Sequence, residues 1–133
     1  MPPRPKLKFL SLFVPNLSEA VERYQAMLGI GPQQGFGQAP APHPFAAKGP
    51  VIFQLGEIAL ALYECDGRTT HTGDVGIGLE TDVDETVSQL REWGGQVFWG
   101  PTLVSASEHR LAIGVTPERH FFEMVEPRQA TAD

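Results

Sequence analysis

Basic charge, cysteine and long apolar runs are all scarce in this chain. Ten Lys and Arg stand against sixteen Asp and Glu, for a net charge of −6 over 133 residues. A nucleic-acid partner would want a basic face, so that class is excluded and the charge is read as favouring solubility. A single cysteine, Cys65, leaves no intrachain disulfide and no Cys-based zinc site. It is read as an ordinary semi-buried thiol and fits a reducing cytosol. No run approaches the length that spans a bilayer, so no membrane partner is expected. The opening Met-Pro-Pro-Arg-Pro-Lys lacks the apolar stretch of a signal peptide, and the expected setting is cytoplasmic.

What the chain does have is a repeat. Val14-Pro-Asn-Leu-Ser-Glu-Ala-Val21, running on to Tyr24 and Leu28-Gly29, reappears as Glu80-Thr-Asp-Val-Asp-Glu-Thr-Val87, running on to Leu90 and Gly94-Gly95. Each copy ends on an apolar–x–apolar–x–Glu strand: Leu60-Ala-Leu-Tyr-Glu64, then Phe122-Glu-Met-Val-Glu126. Repeats of this kind restrict a fold before any other feature does.

The local signals agree. Lys6 to Val14 reads as a strand ended by Pro15. Asn16 and Asp82 stand three residues before Glu19 and Glu85, the capping-box spacing. Leu17, Val21, Tyr24 and Leu28 fall on one helical face, as do Val83, Val87 and Leu90. Gly29 and Gly94 are natural helix stops. A short strand is expected around Gln34–Gly37, and Gly35 and Gly37 are read as easing it rather than as a phosphate loop. An irregular Pro-rich loop follows to Pro50; loops this long are either functional or plain surface excursions. Val51–Leu55 and Ile58–Glu64 form a hairpin. The second half adds strands near Asp74–Glu80, Gln96–Trp99, Arg110–Val115 and Phe121–Glu126, with Thr116-Pro-Glu-Arg-His120 as the last turn. Gln129 to Asp133 is expected to be frayed.

Both halves therefore read β-α-β-β-β, with repeats of about 6–65 and 73–127 in a single domain of residues 1–133. The fold class is α+β: two βαβββ modules forming a curved, incompletely closed mixed sheet, with helices outside and a trough inside.

Phe13-Val-Pro-Asn-Leu-Ser-Glu-Ala-Val-Glu-Arg-Tyr24, Asp82-Val-Asp-Glu-Thr-Val87 and the closing Thr116-Pro-Glu-Arg-His-Phe-Phe-Glu-Met-Val-Glu-Pro127 together resemble the vicinal oxygen chelate superfamily. That superfamily includes glyoxalase I, extradiol dioxygenases, methylmalonyl-CoA epimerase and the bleomycin and fosfomycin resistance proteins. The last stretch is similar to its Asp-Pro-x-Gly-Asn-x-x-Glu-Leu ending. The resemblance implies the glyoxalase-like fold, a homodimer and, in metal-dependent members, four ligand positions. Those positions fall here on Phe9, Ala61, Glu123 and either Val75 or, slipped by one residue to honour the apolar alternation, Asp74. Phe9 and Ala61 carry no donor. Two carboxylates, Asp74 and Glu123, make a poor transition-metal site, so no cofactor is expected, with a hard divalent ion held partly by substrate as the alternative.

By strict alternation Phe9, Ser11 and Phe13 point into the trough. Together with Phe53, Ala61, Tyr63, Asp74, Trp99 and Phe121 they are the candidate ligand-binding residues, and their rings suit an apolar or aromatic molecule. His43, His71, His109 and His120 are scattered and show no ligand spacing. His109 and Arg110 read as solvated, with an approach to a bound anion at the trough mouth as the alternative. Two functions follow. One is a metal-free small-molecule binding protein similar to bleomycin resistance proteins. The other is a lyase, isomerase or dioxygenase using Glu123 as base or metal ligand, its carboxyl raised by apolar walls.

Overall fold

The computed structural model describes residues 5–37, 39–65, 74–104 and 109–127. His71 and the segment 129–133 lie outside them. The elements are β1 (Lys6–Val14), α1 (Leu17–Leu28), β2 (Lys48–Leu55), β3 (Ile58–Glu64), β4 (Val75–Glu80), α2 (Val83–Glu92), β5 (Gln96–Val104), β6 (His109–Val115) and β7 (Phe121–Pro127). One seven-stranded mixed sheet runs β2-β3-β1-β4-β7-β6-β5.

The strand order restates the repeat. Outward from the central antiparallel β1–β4 seam, β3 and β7 each lie parallel to their module's first strand. Next come β2 and β6, antiparallel to those. The second module then adds β5. In the first module the strand expected at Gln34–Gly37 is reduced to a single bridge, Gln33 to Ile52. It sits on the same outer flank of β2 that β5 occupies on β6. Gly35 and Gly37 take positive φ there, which turns the chain instead of extending it.

Both helices start as their caps dictate. Asn16 Oδ1 accepts from the Glu19 N–H at 3.0 Å, and Asp82 Oδ1 from the Glu85 N–H at 3.1 Å. The Glu19 carboxylate turns to Arg23 instead of closing the box. A second cap comes from the sheet. Glu64 Oε1 accepts from the Leu17 N–H at 2.9 Å, and Glu126 Oε1 from the Val83 N–H at 3.0 Å. These are the matching last-strand glutamates of the two repeats, and each ties its module's helix to its own sheet.

The two faces of the sheet carry separate cores. Leu12, Val14, Leu17, Ala20, Val21, Tyr24, Leu28, Phe53 and Leu62 pack under α1, and Val83, Val87, Leu90, Val97, Ala112 and Met124 pack under α2. On the concave face Phe9, Phe13, Ile52, Ala61, Tyr63, Leu111, Ile113 and Val125 are buried together. Phe53 therefore does not line the trough as expected. It pairs with Leu60 and shares that residue's helix-facing side, while Ile52, paired with Ala61, takes the inward position. The alternation was right in kind, but the hairpin register sets its phase.

Candidate functional site: a buried carboxylate–imidazole pair

Alternation along β1 places Phe9, Ser11 and Phe13 on the trough floor, each almost fully buried. Ser11 lies between Ala61 on β3 and Gly76 on β4, and Phe9 between Ala59 and Gly78. From β7, Glu123 enters the same floor and is completely buried. Gly76 and Gly78 make the room. A methyl group at position 76 would fall on Glu123 Oε1, and one at position 78 on the Phe9 ring.

The Pro-rich loop closes over this floor. Ala39, Pro40, Ala41 and His43 are buried while Pro42 and Pro44 are exposed, so this bent, irregular segment turns His43 inward. His43 is the one ionisable side chain in it. Its Nε2 meets Glu123 Oε2, both side chains being fully buried. The Phe45 N–H donates to His43 Nδ1 at 3.0 Å. A backbone N–H can only donate, so Nδ1 is the bare nitrogen and Nε2 carries the proton held by the carboxylate. Glu123 Oε2 is thereby satisfied. Oε1 has no hydrogen-bond partner among the described residues, while the neighbouring Ser11 hydroxyl interacts with that of Tyr63.

Aromatic rings surround the pair. His43 lies 4.7 Å from Tyr63 and 5.0 Å edge-on to Phe13, centroid to centroid. Phe45 and Phe121 stack at 5.8 Å above them, and Trp99 packs against the same cluster. The Tyr63 hydroxyl donates to the Pro40 carbonyl at 2.6 Å, a second anchor for the loop. Burial, and then the Glu123 charge, hold the Tyr63 phenol well above its ordinary pKa, so it stays a donor.

Of the residues expected from sequence, Phe9, Ser11, Phe13, Ala61, Tyr63, Trp99, Phe121 and Glu123 converge on the trough. Asp74 does not reach the pair. It is exposed at the start of β4, on the rim of a cavity at the end of the sheet, and Gly76 takes the place beside Ser11. Arg110 is bound to Asp84 of α2 through two contacts of 2.8 and 2.9 Å, away from the trough mouth. His43 was missed altogether. In the sequence it stands only as one of four scattered histidines. Nothing periodic in Ala39-Pro-Ala-Pro-His-Pro44 marks it as inward, since Pro40 is buried along with Ala39 and Ala41.

The donor set does not fit the divalent metal that the resemblance implied for metal-dependent members. Among the described residues no three His, Cys, Asp or Glu side chains come together. Two donors, His43 and Glu123, are already spent on each other.

Comparison with solved structures bears on the fold. Methylmalonyl-CoA epimerase from Mycobacterium tuberculosis aligns over 92% of this chain and 88% of its own, with a TM-score of 0.62 at 15% identity. A variant of the Streptomyces coelicolor epimerase, in complex with 2-nitronate-propionyl-CoA, aligns over 96% and 98% with a TM-score of 0.63 at 17% identity. The chain has the glyoxalase-like fold of these epimerases. The NAD-dependent benzaldehyde dehydrogenase from Legionella pneumophila aligns over 90% of this chain and 98% of its own, with a TM-score of 0.60 at 16% identity. Identities this low establish shared architecture and leave chemistry open. No protein-family model matches the sequence, and no curated protein sequence matches it significantly. No helix among the described residues is long and apolar enough to cross a membrane.

Proposed function

We propose that the trough binds a small apolar or aromatic molecule without a metal ion, under the cover of segment 39–46. The observation that carries this reading is Glu123 Oε1, a fully buried carboxylate oxygen left without a partner beside Ser11 Oγ in an aromatic enclosure. Such an atom is costly unless a ligand donor completes it. Entry requires the Tyr63–Pro40 and His43–Glu123 anchors to open, so the segment acts as a lid. The chain works as a homodimer in this reading, its open sheet edges needing cover, and sedimentation of the purified protein checks that.

The His43–Glu123 pair favours a second reading, proton transfer. A carboxylate with one oxygen fixed by an imidazole N–H and the other bare is arranged to take a proton from an acidic C–H, with the lid excluding water. The test is a thermal-shift screen of aromatic and apolar compounds, with and without Zn, Ni, Mn, Fe and Mg, on wild type and Glu123→Gln. Binding predicts compounds that raise Tm in metal-free protein, no metal-dependent shift and no turnover. Solvent-deuterium exchange into a bound carbon acid by wild type, absent in Glu123→Gln with binding retained, moves the enzyme reading ahead. One tight ion per chain overturns the metal-free site.

A further inference from the structure

The end of the sheet, where β4 and β7 begin and β6 stops, carries two adjoining cavities. One, of about 360 Å³, is walled by Val75, Ile77, Phe98, Val115 and Phe121, with Asp74, Arg119 and His120 at its rim. The other, of about 430 Å³, shares Phe98, Val115 and Arg119. Both volumes lie in the range of small-molecule sites. Arg119 stands where they meet.

Its backbone is held there at a cost. Arg119 has φ +72°, and among the described residues it is the one non-glycine with positive φ. Glycine is favoured in that conformation and arginine is strained. The turn fixes it: the Arg119 N–H donates to the Thr116 carbonyl at 2.8 Å, the Thr116 N–H to the His120 carbonyl at 3.0 Å, and the His120 N–H to Thr116 Oγ1 at 3.1 Å. The Arg119 guanidinium has no ion-pair partner among the described residues, unlike Arg23 and Arg110. Phe121, in the same cavity wall, stacks on Phe45 and packs against Phe13, so the cavity abuts the aromatic trough.

We infer that Arg119, with His120 beside it, is an anion-binding position at the end of the sheet beside the trough, and that the ligand is an amphipathic acid. Its carboxylate or phosphate meets the guanidinium fork while its apolar part runs over Phe98, Val115 and Phe121. This rests on the trough reading for the apolar end alone.

Phenylacetate and its neutral counterpart phenylacetamide, titrated calorimetrically at low salt, test the inference. Wild type is expected to bind the acid about tenfold more tightly, and Arg119→Gln to lose that preference with amide binding unchanged. Arg119→Gly is expected to lose it too while melting no lower than wild type, which separates lost contact from lost fold. Equal binding of the two compounds by wild type, or a preference that survives Arg119→Gln, overturns the inference and leaves the trough reading standing. An acid preference that is lost in Arg119→Gln and kept in Glu123→Gln supports the inference, and loss of binding of both compounds in Glu123→Gln overturns the placement of the charge at Arg119. Binding of neither compound overturns both.

Discussion

At the scale of single residues, the buried pair governs the concave face. Removing one partner leaves the other uncompensated in an apolar enclosure, whereas replacing both by apolar groups does not. His43→Ala is expected to cost about 3–5 kcal/mol in chemical denaturation. His43→Leu combined with Glu123→Leu should cost much less than the sum of the single changes, a coupling that a double-mutant cycle reads directly. Tyr63 makes a pH prediction. Its folded pKa is raised, so its contribution is fully present below the unfolded value near 10. It is lost as pH rises from there through the folded pKa, because only the unfolded chain can readily ionise. Stability measured across alkaline pH should fall more steeply for wild type than for Tyr63→Phe. At neutral pH that variant should be weaker by about 1–3 kcal/mol, because the Pro40 carbonyl loses its donor.

At the scale of elements, each helix is fixed at its N-terminus by one residue before it and one glutamate across the sheet. Glu64 and Glu126 accept from the Leu17 and Val83 N–H groups, and a carboxylate there also meets the positive end of the helix dipole. Glu64→Gln and Glu126→Gln should each be mild, while the alanine variants should each cost about 1 kcal/mol by denaturant midpoint. The costs should add, since the two caps share no partner. These glutamates were visible as the repeated ends of two strands, but their task was not, because sequence alignment pairs a residue with its counterpart and not with what it touches. Strand existence was equally visible. The strand expected at Gln34–Gly37 failed because two left-handed glycines bend the chain after a single bridge.

At the scale of the whole molecule, the trough is closed by its own loop. Opening it breaks two anchors, Tyr63 to Pro40 and His43 to Glu123, while leaving the sheet ladders intact. Amide exchange at Ala39, Phe45, Ala46 and Ala47, whose N–H groups all bond within or beside the loop, should speed up at least tenfold in Tyr63→Phe. Exchange along β1 and β7 should change only as global stability does.

The sequence by itself determined the duplicated modules, both helix faces, and the inward set of Phe9, Ser11, Phe13, Ala61, Tyr63, Phe121 and Glu123. The modules and helix faces follow from a repeat and a short-range period, which are local, while the inward phase of the strands came from the ligand positions that the family resemblance implies at Phe9, Ala61 and Glu123. Only the tertiary structure decided that Phe53 faces a helix, that Gly76 and not Asp74 neighbours the carboxylate, and that His43 completes it from 80 residues away. Those facts depend on hairpin register and on the path of an irregular loop. Neither has a period, and both are fixed by what the strands and the loop find to pack against once the two modules have joined in one sheet.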